Sequence, residues 1–119
     1  MTIADCLEQA RLLGEHYQLA INEFVDEFRR MPLEARRAMI ATPILQGQWL
    51  EALLAAVVSY LCHEAELVPP PWVEHVTSPA PHFVLPARSF AMRVRLMLES
   101  PPPFRNRGVF VPDSYLSRA

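Results

Sequence analysis

Between Ala52 and Cys62 the chain carries no charged residue. The surrounding stretch, Gln48 to Glu66 (QWLEALLAAVVSYLCHEAE), leaves no polar face at helical spacing. A helix apolar on all sides is either buried or spans a membrane. The uncharged run is too short for a bilayer, which needs about 20 residues. The pattern therefore predicts a buried central helix that the remaining chain must cover.

Upstream, Ile3, Leu7, Ala10, Gly14, Tyr17, Ile21, Phe24, Phe28 and Met31 recur at alternating steps of three and four, the seam of a heptad. This predicts one long helix over 3–31, or two collinear ones with Gly14 as the natural break. Glycine in a helix interior costs about 1 kcal/mol relative to alanine, and an unbroken helix of this length would span roughly 40 Å. A second copy of the chain could pair along the 3–31 seam. Pro32 ends the pattern and suits the first turn of a short helix over 33–41, which offers Leu33, Met39 and Ile40 to a core. Thr42 and Pro43 end that helix.

After Glu66 the pattern changes. Pro69, Pro70 and Pro71 hold extended backbone, and Trp72 and Val73 are expected to pack back on the helices, with a short helical turn over 71–75. Residues 77–86 read as loop. A fourth helix is expected over 87–98, with Phe90, Val94 and Leu98 on one face and Arg88, Arg93 and Arg95 on the others. Residues 100–103 stop it. An Arg-rich turn at 105–108 then leads to Val109-Phe110-Val111, a short strand or extended segment, and Asp113 caps a last turn over 114–118. The expected class is mainly α: a small bundle of three to four helices around a central apolar helix, with a proline-rich, irregular C-terminal half.

Composition sharpens that division. The length of 119 residues suits one domain over 1–119, and 51% hydrophobic with 20% charged residues suits a globular chain. Ten of the 12 prolines lie between Pro69 and Pro112, so a helical half, 1–66, meets a proline-rich half, 67–119. Charge is divided the same way. Residues 1–66 hold ten acidic side chains against five Arg, a balance of −5; residues 67–119 hold three against six, a balance of +3. The basic half either folds against the acidic helices or meets an acidic partner or a nucleic acid. All eleven basic residues are Arg, which fits a GC-rich coding bias better than a selected need for bidentate pairing.

Candidate chemistry is sparse. Cys6 and Cys62 are too few and too scattered for a disulfide framework. The opening residues carry Asp5, Glu8 and Arg11, unlike a secretory leader, so a cytoplasmic protein with reduced thiols is expected. Cys62 and His63 are adjacent, but His16, His63, His75 and His82 lack the regular spacing of a zinc site, and no metal or other cofactor is expected. Arg11 and His16 match the R-x4-H spacing of helical ribonucleases of the HEPN type, although Leu12 stands where that motif usually has a polar residue. No Ser-His-Asp or Cys-His set emerges, and the expectation is a protein that is not an enzyme. Arg88, Arg93, Arg95, Arg105 and Arg107 interleave with Phe90, Phe104 and Phe110, a pattern that could grip single-stranded nucleic acid. The sequence pI of about 6.1 argues against a dedicated binder, and the aromatics read first as anchors of the tail to the core.

Two stretches, EFVDEFRRMPLEARRAMIA with WLEALLAAVVSYLCHEAELVPPPWV, and the ending LESPPPFRNRGVFVPDSYLSRA, resemble a family of small bacterial proteins of the actinobacterial type. Its closing motif has the form SPxxFRxRGxFV; Asn106 stands where Arg is frequent, and Val109 and Val111 where Ile is frequent. Genes of this family often sit beside genes for nucleotidyltransferase-like proteins, in pairs that look like toxin–antitoxin modules. The resemblance implies an antitoxin-like inhibitor that binds a nucleotidyltransferase-type toxin directly. Arg95, Phe104, Arg105, Arg107 and Phe110 are the expected partner-binding residues, being Arg and aromatic types favoured at interface hot spots. An Arg-bearing tail would suit an acidic, metal-holding enzyme site.

Overall fold

The periodic seam over 3–31 does not run on as one rod. In the computed structural model, which describes residues 1–85 and 87–117, it breaks at Gly14. Thr2 opens helix α1 (Ile3–Leu13) with a reciprocal capping box: its hydroxyl accepts from the Asp5 N–H at 3.1 Å, and the Asp5 carboxylate accepts from the Thr2 N–H at 3.0 Å. Gly14 then takes φ 58° and ψ −117°, a region that side chains on L-residues avoid. A 3-10 turn over Gly14–His16 leads into α2 (Gln18–Arg30).

The expected collinear arrangement is thus replaced by a hairpin. The buried residues of α1 are Ile3, Cys6, Leu7 and Ala10; those of α2 are Ala20, Ile21, Phe24, Val25 and Phe28. The Cys6 thiol donates to the Ala20 carbonyl at 3.6 Å, and the Met1 amino group meets Glu27 at 2.8 Å, which fixes the two helices as antiparallel. The seam that could have paired with a second copy is filled from within the chain. Pro32 precedes α3 (Leu33–Met39). Arg36 from α3 donates to the Phe28 and Arg29 carbonyls, both at 2.8 Å, and so satisfies the C-terminal end of α2. Its guanidinium also lies 5.3 Å from the Phe28 ring centre.

These helices belong to one compact unit, Met1–Leu45; a second comprises Gln46–Ser117. The division falls before the central helix, not at residue 66 where the composition changes. The reason is visible in α4 (Trp49–Glu64), whose residues Leu50 to Val58, with Leu61 and Cys62, are all buried. Inside its own unit, α4 packs on the 3-10 turn Pro71–His75, on helix α6 (Pro102–Arg105) and on strand β2 (Val109–Phe110). The proline-rich segment thus supplies walls for the apolar helix. Glu51 is buried yet satisfied: its carboxylate accepts from the Gln46 N–H at 2.8 Å and from the Gly47 N–H at 2.9 Å, at the positive end of the helix dipole.

The far end of α4 closes in a Schellman motif. The Leu67 N–H donates to the Cys62 carbonyl at 2.8 Å and the Glu66 N–H to the His63 carbonyl at 3.2 Å. Glu66 holds the left-handed position, φ 58°, where glycine is usual.

Strand β1 (His82–Phe83) lies within the expected loop and pairs in parallel with β2, His82 opposite Val109 and Phe83 opposite Phe110. Helix α5 (Phe90–Glu99) starts at Ser89, whose hydroxyl accepts from the Met92 N–H. At its end, Ser100 is buried and its Oγ accepts from the Val111 N–H at 2.8 Å. The same oxygen stands 2.8 Å from the Leu96 carbonyl and 2.9 Å from that of Val111. A turn over residues 113–116 follows. Arg118, which was expected to end that turn, Ala119, and Pro86 in the expected loop lie outside the described residues. The chain is mainly α, in the class of a small helical bundle.

Candidate interaction surface

The five residues singled out for partner binding separate into two groups. Phe104 is fully buried, with Tyr60 at 6.2 Å and Tyr115 edge-on at 5.6 Å between ring centres. Phe110 is buried against Phe83, ring centres 5.0 Å apart. Arg107 is half-buried, and its guanidinium donates twice to the Val73 carbonyl, at 3.1 and 3.0 Å, and once to the Pro103 carbonyl at 2.8 Å. It ties the tail to the Pro71–His75 turn. Burial lowers the Arg107 pKa, against an opposing pull from Glu74. These three side chains are spent on internal contacts. Arg95 and Arg105 stand at the surface; Arg95 makes a 3.6 Å pair with Glu99 while its side chain remains 83% exposed, a geometry worth little by itself.

Helix α5 presents the surface that the residue types alone did not reveal. Phe90, read as an anchor to the core, is 83% exposed, and Leu98 is 74% exposed. Met92 and Met97 are also exposed, and Leu96 is the one residue of α5 that is buried. Phe90, Ala91, Val94, Arg95, Leu98 and Glu99 line an open, mainly apolar depression of about 620 Å³. The signal for an outward face was available in one respect: seven of the ten residues of α5 are apolar, more than a single core-facing stripe needs.

A second concavity of about 420 Å³ lies between Tyr60, His63, Leu67, Pro69 and the Pro101–Pro103 run. It joins the two proline triplets and is lined mainly by apolar side chains. Elsewhere, Trp49 and His82 stack with ring centres 3.7 Å apart and 12° between planes; burial lowers the His82 pKa. Nothing in the residue order pointed to that pair, which depends on the β1–β2 pairing.

The candidate catalytic and metal residues fall as follows. Arg11 lies on α1 and His16 in the turn beyond Gly14, both exposed, so the R-x4-H spacing is not carried on one helix. Cys6 and Cys62 are free and buried, and burial pushes their thiols up to about 12 and about 11, which suits inert core residues. Among the described residues no group of three or more His, Cys, Asp and Glu is placed to hold a metal ion, and no helix is long and apolar enough to cross a membrane. Compared with protein-family models, curated proteins and solved structures, the chain matches none.

Proposed function

We propose that the chain is a protein-binding module, the antitoxin-like inhibitor of a nucleotidyltransferase-type toxin, which acts by direct contact and not by catalysis. The observation that carries the binding reading is the outward apolar face of α5 with exposed Arg beside it. Contiguous apolar surface rimmed by polar groups marks interaction sites, and leaving Phe90 and Leu98 in water forfeits about 1.5–3 kcal/mol for each side chain that a partner could bury. The choice of target rests on the resemblance of the closing segment SPPPFRNRGVFV to its family motif. Exposed Arg95 and Arg105 suit an acidic enzyme surface, and Phe104, Arg107 and Phe110 hold the presenting segment in shape.

The test is co-purification of the full chain with the product of its adjacent gene, which this reading requires to be a nucleotidyltransferase-type protein. A stable complex, weakened in Arg105→Glu, is expected. No complex would overturn the reading. Removal of residues 100–119 is the wrong probe, because it strips Ser100, Phe104, Val109, Phe110, Val111 and Leu116 from the buried core.

A further inference from the structure

At about 100° per residue, Met97, Phe90, Val94, Leu98 and Ala91 of α5 share one arc of about 120°. Leu96, the buried residue, lies on the opposite side. Arg93 borders the arc on one flank and Arg95 on the other. Arg93 is held in place by its Nε, which donates to the Ala87 carbonyl at 3.0 Å. Arg95 is the more exposed partner of Glu99. The outward side of the helix is therefore an apolar stripe with Arg93 on one rim and Arg95, paired with Glu99, on the other.

We propose that α5 is a docking helix, and that its outward stripe seats in an apolar groove with an acidic rim on a protein partner. The proposal rests on the protein-binding reading above and names the element that enters the partner. Phe90 and Val94 are four residues apart, as are Val94 and Leu98, with Ala91 one turn before Val94. This is the anchor spacing of helix-in-groove recognition. The charges select the occupant. In a pair of α5 helices from two copies, an antiparallel arrangement sets Arg93 against Arg93 and Arg95 against Arg95; a parallel one sets Arg93 against Arg95. Like charges on facing rims disfavour the antiparallel pair, whose Arg93 flank carries no carboxylate. In the parallel pair Glu99 stands beside Arg95 on both flanks and offsets part of the clash. An acidic rim meets both cations at once. A groove also covers more of a ten-residue helix than a second helix can.

The experiment places a photo-reactive benzoylphenylalanine at Phe90 in the full chain, expressed in its native cells, and in a second chain at Arg105. The expected result is an adduct from position 90 to a protein, the linked peptide lying in an apolar groove bordered by Asp or Glu. Its yield should fall at least tenfold in Arg93→Glu/Arg95→Glu, with the helical circular-dichroism signal retained at the temperature of the cross-linking. No adduct, an adduct to a second copy or to lipid, or a yield indifferent to the charge reversal overturns the docking helix. An adduct to a nucleotidyltransferase from position 105 alone removes the docking helix and leaves the inhibitor reading. An acidic-grooved protein of another kind at position 90 keeps the helix and removes that target.

Discussion

Replacing Gly14 by alanine separates a hairpin from a continuous helix by the sign of its effect. A Cβ built at Gly14 meets nothing within 4 Å, so the cost is conformational and contains no steric clash. The backbone sits at φ 58° and ψ −117°, a sparsely populated region outside the left-handed helical well, where an L-residue pays about 1–3 kcal/mol. Alanine recovers roughly 0.4–1 kcal/mol of that by restricting the unfolded chain. The net expectation is a loss of about 1 kcal/mol. With a urea slope of about 2 kcal/mol per molar, the unfolding midpoint followed by circular dichroism should fall by about 0.5 M. Were residues 3–31 one uninterrupted helix, the same change would raise stability by about 1 kcal/mol, since alanine is the better helix former. An unchanged or higher midpoint would refute the hairpin break at Gly14.

Three further outcomes follow from single contacts. Ser100→Ala removes the buried acceptor of the Val111 N–H and should cost about 1–3 kcal/mol in urea unfolding; a loss below about 0.5 kcal/mol would show that water or another group replaces it. Glu66→Gly relieves the left-handed C-cap of α4 and should raise the midpoint by an amount equivalent to about 0.5–1 kcal/mol; a lower midpoint would contradict the Schellman assignment. For His82, burial holds the folded-state pKa below its ordinary 6.5, so the unfolded chain binds the proton more readily. The stability it contributes is complete above about pH 6.5 and is lost as pH falls from there through the folded value. Urea midpoints at about pH 7.5 and 5.5 should differ less in His82→Phe, which keeps a ring beside Trp49, and an unaltered difference would dismiss the assignment.

The parts of the fold legible in the sequence were those set by local pattern. The uncharged run 52–62 alone marks α4 as a buried helix, and Pro32 and the Pro69–Pro71 run mark real boundaries. The pattern misled where tertiary pairing decides. Both hairpin helices carry one seam in register, and only the backbone at Gly14 turns the second against the first. Helix α5 shows the same limit. Phe90, Val94 and Leu98 form a stripe that could face a core or a partner, and periodicity cannot tell which. In the closing segment the residue types hide their own intramolecular partners. Arg107 and Phe110 are of types found at interfaces, but Arg107 is consumed by carbonyls of Val73 and Pro103, and Phe110 by Phe83. Residue type alone does not reveal such long-range partners, here thirty-four positions apart for Arg107 and Val73.

The proposed function is inhibition by direct binding. The direct measurement takes the product of the adjacent gene, which the proposal requires to be a nucleotidyltransferase, and follows its nucleotidyl-transfer rate as the purified full chain is titrated in. Saturable inhibition near one-to-one stoichiometry is expected, with the half-inhibiting concentration raised at least tenfold in Arg95→Glu/Arg105→Glu, both side chains being exposed. A rate that stays constant at excess chain, or inhibition indifferent to both charges, would contradict it.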